Sequence, residues 1–145
     1  LARVREVGAS RAVDSPERAY AYWQEVIREA GWFTPCKEHL VVLLLNTRHN
    51  IEGHALVSIG TLSQSLAHPR EVFSPVLRGA AYGFILMHNH PSGDPSPGES
   101  DRQMTKRISA GGKILGVRLL DHVIAGSEGA DGESPYFSFR EMGLL

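Results

Sequence analysis

The residue types best suited to metal chemistry are concentrated between residues 88 and 101. His88 and His90 stand two apart after the apolar run 82–87, which is typical of a buried strand. Because alternate side chains of a strand leave on the same face, the two imidazoles are predicted to point the same way. Several prolines and glycines then fold the chain back, and Asp101 follows about one turn into a predicted helix. Its carboxylate can therefore point towards the two imidazoles.

A helix start between the histidines and Asp101 supports this geometry. The segment 96–99, Ser-Pro-Gly-Glu, places serine at the N-cap, proline at the first helical position and glutamate at N3. Two neutral imidazole nitrogens and one carboxylate, with a fourth position for water, form the ligand set of a catalytic zinc site. Zinc lowers the pKa of its water from about 16 to near ~7, which yields a nucleophile at neutral pH. The residues predict Zn²⁺ held by His88, His90 and Asp101.

Two other interpretations of this stretch compete with a metal site. A single histidine after a strand is usually a surface or core residue, and loops rich in glycine and proline usually have no further role. The letters His-Asn-His at 88–90 also invite the HNH nuclease label. Those nucleases are named for residues dispersed over a longer ββα unit, so three adjacent letters favour that class only weakly.

The spacing His-x-His-x10-Asp after an apolar strand resembles the JAMM (MPN-plus) metalloprotease signature. The string 88–97, His-Asn-His-Pro-Ser-Gly-Asp-Pro-Ser-Pro, resembles the bacterial RadC branch, and the resemblance runs from about Glu38 to Glu141. It implies an α/β fold, a mixed-sheet α-β-α sandwich of the JAMM/MPN (cytidine-deaminase-like) type. It also implies a zinc metallopeptidase that hydrolyses peptide or isopeptide bonds. Four further segments fit the same branch: 47–50, 68–73, 119–124 and 136–141.

Peptide hydrolysis also needs a base that takes the proton of water and returns it to the leaving amine. Glu38 is the candidate, because it stands at the entrance to an apolar strand, and the resemblance implies this role for a glutamate in that position. A solvated strand-end glutamate is the alternative. Glu52 and Glu71 are rivals, but Glu52 lies on the returning strand and Glu71 fits a helix start.

The chain departs from the JAMM pattern at Gly98, where the signature carries a serine that is expected to help stabilise the oxyanion. Loss of one such donor can cost ~10²–10³ in rate. The Gly98 backbone N–H, at a helix N-terminus, could partly substitute. Ser92 and His122 are candidates for hydrogen bonding around the ligands, a turn serine and a packed structural histidine being the alternatives. Asp94 is expected to make a turn.

Composition limits the classes of protein and partner. The chain has 145 residues, 42% hydrophobic and 21% charged, which suits one soluble domain. The net charge is −1 and no run of five or more basic residues occurs, so DNA is a possible partner that charge does not support. A single cysteine, Cys36, excludes an internal disulfide and a cysteine-rich zinc framework. No apolar run nears the length of a membrane span, and a cytoplasmic protein is expected.

The predicted domain covers residues 1–145, with an arm and a helix in 1–34 and the metal-site core in 35–145. The predicted order is α-β-β-α-β-α-β-β, with the strand 38–45 apolar on both faces and hence central. The first helix is predicted to stop at Gly31 and the third at Gly111–Gly112. The loops 58–67 and 126–134 are expected to line the substrate cleft.

Three functions remain open from the sequence. The first is a zinc-dependent hydrolase of peptide or isopeptide bonds, with Glu38 as general acid and base. The second is a metal-binding interaction domain with weak catalysis, which Gly98 favours. The third is a DNA-repair-associated DNA-binding module, the historical label of RadC proteins; RadC-type chains often carry a helix-hairpin-helix segment, and none is predicted within residues 1–145.

Overall fold

A single mixed sheet forms the centre of the molecule. The computed structural model describes residues 3–4, 11–60, 68–127 and 133–145. Within these ranges the strand order is β1-β4-β3-β5-β6-β7, and β2 also pairs with β4. Among the strands described, only β5 and β6 run parallel to each other; the other pairs are antiparallel. The strands are β1 (Arg3–Val4), β2 (Arg11–Ala12), β3 (Glu38–Leu45), β4 (Asn50–Gly60), β5 (Gly83–Asn89), β6 (Arg118–Ala125) and β7 (Tyr136–Ser138).

Helices cover both faces of the sheet. α1 (Pro16–Glu25) and a short 3₁₀ turn (Ile27–Glu29) pack on one face, while α2 (Pro69–Arg78) and α3 (Glu99–Leu115) pack on the other. The predicted α-β-α sandwich is therefore confirmed. The α1 core contains Ala19, Tyr22, Trp23, Ile27, Val41, Leu43, Leu45, Ile85 and Met87, and the α2/α3 core contains Leu40, Val42, Leu44, Val72, Phe73, Val76, Phe84, Leu86 and Ile108.

β3 is the central strand that the sequence predicted. All eight of its residues are buried, and it lies between β4 and β5. Its odd-numbered side chains from Val41 onwards join the α1 core, while its even-numbered ones from Leu40 onwards join the α2/α3 core. A strand buried on both faces needs such a continuous apolar run. Because Glu38 shares the even-numbered side, it faces the same layer as α3.

β6 contains one extra residue relative to β5. Phe84 pairs with Leu119 and the next residue, Ile85, pairs with Asp121, so Leu120 has no partner in the register. An inserted residue of this kind is a β-bulge. Because side chains alternate along a strand, the odd-numbered residues of β6 face α3 before the bulge and the even-numbered ones face it afterwards. Residue 122 consequently lies on the α3 side.

Two helix ends differ from the predictions. The regular part of α1 ends at Glu25, and a 3₁₀ turn takes over before Gly31. α3 continues through both predicted stop glycines to Leu115 and ends at Gly116, whose φ of 75° is the left-handed C-cap conformation. Gly111 and Gly112 are needed for close packing instead: added Cβ atoms would lie 2.9 Å from Phe73 and 2.4 Å from the Val117 carbonyl oxygen.

The helices are all of the size found in globular domains. α3, with 17 residues, carries many charged and polar side chains. Within the described ranges, no helix combines the length and apolar character that a bilayer crossing requires.

Candidate metal centre

The two histidines of the candidate site lie at the end of β5, on the α3 side of the sheet. His88 pairs in register with Leu40 of β3 and is fully buried, whereas His90 follows the strand and is partly exposed. Their Nε2 atoms lie 3.2 Å apart. The predicted convergence of the two imidazoles is therefore present.

Asp101 joins these histidines from the first turn of α3. Its Oδ1 lies 3.2 Å from His88 Nε2, and its Oδ2 lies 3.3 Å from His90 Nε2. The predicted N-cap at Ser96 is wrong, because α3 begins two residues later with Gly98 at the N-cap. The Gly98 N–H donates to Asp101 Oδ2 at 2.9 Å, so Asp101 takes the N3 role that Glu99 was expected to have.

The second nitrogen of each imidazole has a partner outside the cluster. His90 Nδ1 donates to the Asp94 carbonyl oxygen at 2.9 Å, because a carbonyl can only accept. His88 Nδ1 lies 2.9 Å from Nε2 of His122. Both Nε2 atoms consequently face Asp101 and each other.

These donor atoms have the spacing that a tetrahedral metal ion requires. Donors held at roughly 2.0–2.1 Å from zinc, at a tetrahedral angle, lie about 3.3 Å apart. The two Nε2 atoms lie 3.2 Å apart, and each has its own Asp101 oxygen near it, Oδ1 at 3.2 Å from His88 Nε2 and Oδ2 at 3.3 Å from His90 Nε2. The donor set, two imidazoles and a carboxylate, therefore fits a divalent metal in both chemistry and spacing.

Glu38 completes the acidic side of the cluster. Its Oε1 lies 3.8 Å from His90 Nε2, and its side chain is 7% exposed. Donor atoms of Glu38, His88 and His90 all lie within 4.8 Å of one another, so this buried cluster could bind a metal ion. The other carboxylate, on Asp101, lies closer to both imidazoles. Burial raises the pKa of Glu38, against the opposing effect of His90.

Burial and mutual contacts together shift the pKa values of Asp101, His88 and His90. Burial alone would raise the pKa of Asp101, but the adjacent imidazoles of His88 and His90 and the Gly98 N–H hold that pKa well below its ordinary value. Burial lowers the pKa of His88. Burial also opposes a charge on His90, but Asp101, the Asp94 carbonyl and Glu38 prevail and raise its pKa. The cluster thus combines an ionised carboxylate, on Asp101, with two imidazoles, a donor set that suits a cation.

Asn89, between the two histidines, holds the backbone around Glu38. Its Oδ1 accepts the His39 N–H at 2.8 Å, and its Nδ2 donates to the Lys37 carbonyl oxygen at 2.9 Å. Asn89 is 6% exposed and points to β3 rather than towards the metal ligands. This role was not predicted from the sequence. The indication was a polar residue between His88 and His90 whose side chain leaves the other face of a buried strand.

The remaining predicted site residues have different surroundings. Ser92 is an exposed loop residue whose Oγ accepts the Asp94 N–H, as in a turn. Asp94 Oδ1 accepts the Ser96 N–H, so the expected turn is present. His122 is fully buried beside His88. Residues 61–67 and 128–132 lie outside the described ranges, and most of the two predicted cleft loops with them.

The sequence of the whole chain identifies its family. A family model described as a RadC-like JAB domain matches residues 13–144. The chain belongs to the RadC-like JAB domain family. Relatives of this RadC-like JAB domain include proteins named UPF0758 from Chlorobaculum parvum (41% identical over 94% of this chain and 56% of the relative) and Thermotoga maritima (43% over 92% and 54%). A third, from Rubrobacter xylanophilus, is 49% identical over 75% of this chain and 45% of the relative. This RadC-like JAB domain thus spans about half the length of the curated relatives it matches.

Proposed function

We propose that this domain is a zinc-dependent hydrolase of peptide or isopeptide bonds. The observation that carries the proposal is the convergence of the His88 and His90 Nε2 atoms and the Asp101 carboxylate within 3.2–3.3 Å of one another, with Glu38 beside them. His₂-carboxylate sets with one open position are typical of catalytic zinc sites. Membership of the RadC-like JAB domain family agrees with hydrolytic chemistry.

Each residue of the cluster has a distinct part in this proposal. His88, His90 and Asp101 would hold the metal, because their donor atoms lie nearest one another. A divalent ion bound there supplies Lewis-acid chemistry, which lowers the pKa of water and polarises a carbonyl oxygen. The surrounding protein excludes solvent from His88, which strengthens every electrostatic interaction in the pocket.

Glu38 is the proposed general acid and base. Its Oε1 lies further from His90 Nε2 than the Asp101 oxygen does, which favours Asp101 as the ligand and Glu38 as the group that contacts a reacting water. Its raised pKa lies closer to neutrality than that of an exposed glutamate, and a base of that kind both takes and returns a proton efficiently. In this role it removes a proton from water at Oε1 and delivers it to the leaving amine nitrogen.

A metal-binding domain with weak catalysis is the second candidate, and Gly98 favours it. The position offers no hydroxyl, and its backbone N–H, which was expected to substitute, already donates to Asp101. One oxyanion donor is worth ~10²–10³ in rate. Removal of that donor leaves metal binding intact, so the two candidates differ only in turnover.

Elemental analysis of the purified chain tests the metal. We expect about one zinc per chain, lost in the His88→Ala/His90→Ala double variant, with partial loss in Asp101→Ala. Asp94→Ala is the matched control, because Asp94 contributes its carbonyl oxygen and not its carboxylate to His90. Equal zinc content in the parent and the double variant, or no uptake from added zinc at neutral pH, would exclude the site.

Hydrolysis is tested separately with Glu38→Gln. This variant keeps the size of the side chain and removes the base, so we expect zinc content to persist and cleavage of a peptide and isopeptide panel to fall by at least ~10². Zinc-dependent cleavage that survives the substitution would contradict the assigned base. Stoichiometric zinc without cleavage in the parent would favour the second candidate.

A further inference from the structure

A buried chain of hydrogen bonds connects the outer nitrogen of His88 to the backbone of Asp101. His88 Nδ1 lies 2.9 Å from His122 Nε2, and His122 Nδ1 lies 2.6 Å from Thr105 Oγ1. The Thr105 hydroxyl donates in turn to the Asp101 carbonyl oxygen at 2.7 Å. None of His88, His122 and Thr105 is more than 1% exposed. Since Asp101 Oδ1 also lies 3.2 Å from His88 Nε2, the four residues form a closed ring.

The direction of each hydrogen bond in the ring follows from counting protons. Thr105 has one hydroxyl proton, which the Asp101 carbonyl receives, so its oxygen can only accept from His122 Nδ1. Neutral His122 then carries its proton on Nδ1 and must accept at Nε2. His88 Nδ1 must therefore donate to it, and the His88 proton is excluded from Nε2. The lone pair of His88 Nε2 consequently faces the metal centre.

We propose that Thr105 and His122 are positioning residues that fix His88 in the tautomer whose Nε2 can bind a metal ion. A metal-binding histidine ordinarily donates its second N–H to a carboxylate, a carbonyl or water. Here the acceptor is a second imidazole, which is itself oriented by a threonine one turn after Asp101. This inference rests on the proposed metal site and extends it to two residues that do not touch the metal.

The ring plane of His122 is held independently of these hydrogen bonds. It stacks on Phe139 with centroids 4.6 Å apart and an interplanar angle of 5°, and the Phe139 N–H donates to the His122 carbonyl oxygen. A ring held in plane can change its tautomer without moving. Removal of the Thr105 oxygen therefore leaves His122 free to carry its proton on Nε2, which would force the His88 proton onto the metal-facing nitrogen.

The test compares Thr105→Val, which keeps the shape but removes the hydroxyl, with Thr105→Ser, which keeps it. Long-range ¹H–¹⁵N NMR of the metal-free chain reports which His88 nitrogen carries the proton, and competition with a chromophoric chelator reports zinc affinity. We expect Nδ1–H in the parent and in Thr105→Ser. In Thr105→Val we expect Nε2–H and a zinc affinity reduced by roughly 10–100-fold. His54→Gln is the control, a buried histidine on the α1 side whose loss should leave zinc affinity unchanged.

The readouts separate this inference from the proposed function. An Nε2–H tautomer in the parent would overturn the inference even if no variant folds, and so would a Thr105→Val variant with parental tautomer and affinity. Zinc binding without peptide cleavage would contradict the hydrolase alone. A parent without zinc affinity would remove the metal site, and with it the proposed purpose of the ring.

Discussion

Asn89 forms hydrogen bonds with the backbone on both sides of Glu38. The His39 N–H donates to the Asn89 amide oxygen, and the Asn89 amide nitrogen donates to the Lys37 carbonyl. The proposed base thus depends on β5, the strand that carries the proposed ligands, for its position. The two neighbours of Asn89 in the sequence, His88 and His90, face the metal centre, while Asn89 itself joins that centre to β3.

Substitution of Asn89 should separate positioning from metal binding. In Asn89→Ala the Lys37 carbonyl and the His39 N–H lose their partner, so we expect about 1–3 kcal/mol of destabilisation. Displacement of Glu38 by about 1 Å can cost ~10² in cleavage rate. Zinc affinity should change little, because Asn89 contacts no proposed ligand side chain in the described hydrogen bonds. Asn46→Ala, in the turn at the other end of β3, is the control, and equal cleavage by both variants would contradict the role.

A serine at position 98 should improve the start of α3. Gly98 has φ −87° and ψ 174°, which any residue adopts at an N-cap, and an added Cβ would lie 3.8 Å from Asp101 Oδ2, an ordinary contact. A serine cap exceeds glycine by a few tenths of a kcal/mol, so Gly98→Ser should unfold at slightly higher denaturant. If the missing hydroxyl limits catalysis, cleavage should also rise by ~10-fold or more. An equally inactive but stabilised variant would support the weakly catalytic candidate.

His54 should make the domain sensitive to acid. This histidine is 1% exposed, its Nδ1 lies 2.7 Å from the Tyr22 hydroxyl, and burial lowers its pKa from 6.5 to about 4. Between these values the unfolded chain binds a proton that the folded chain does not, so stability falls as pH falls from about 6.5 to about 4. The loss attributable to His54 is about 3 kcal/mol. Unfolding of His54→Gln should show a weaker pH slope in this window than the parent, and an unchanged slope would contradict the argument.

Close packing at α3 should make Gly112 intolerant of a side chain. An added Cβ would lie 2.4 Å from the Val117 carbonyl oxygen, so Gly112→Ala requires the helix or β6 to shift. We expect a loss of about 1–3 kcal/mol in unfolding free energy, despite the better helix propensity of alanine. Gly31→Ala, with nothing within 4 Å of the added atom, should be neutral. Equal stability of the two variants would contradict the packing.

The parts of the fold that sequence predicted best are those with a single dominant cause. The strand 38–45 was predicted with the observed bounds because a run of apolar residues has no stable place but the middle of a sheet. The helix start that Glu71 indicated is present, with His68 at the N-cap and a capping box between His68 and Glu71. The ends of α3 were wrong at both sides, because tertiary contacts of Asp101 and Gly112 outweigh local capping signals.

Some residues of the candidate site could likewise be predicted from the sequence, and others could not. The spacing of His88, His90 and Asp101 could be recognised because the two histidines are one strand repeat apart and the aspartate follows at the start of the next helix. Thr105 was missed, although it follows Asp101 by one helical turn and so faces the same way. Its role depends on His122, which lies on β6 and not on α3, and no regular interval along the chain relates the two residues.

Leu120, which has no partner in the β5–β6 register, interrupts the alternation of β6 side chains between the two faces of the sheet. Before it, Val117 and Leu119 join the α2/α3 core; after it, Val123 and Ala125 join the α1 core. If Leu120 paired regularly opposite Ile85 instead, His122 would move one register position, pair with Met87 and turn towards α1, away from His88. Strict alternation counted along the sequence from Leu119 would therefore assign Asp121 and His122 to the wrong sides of the sheet.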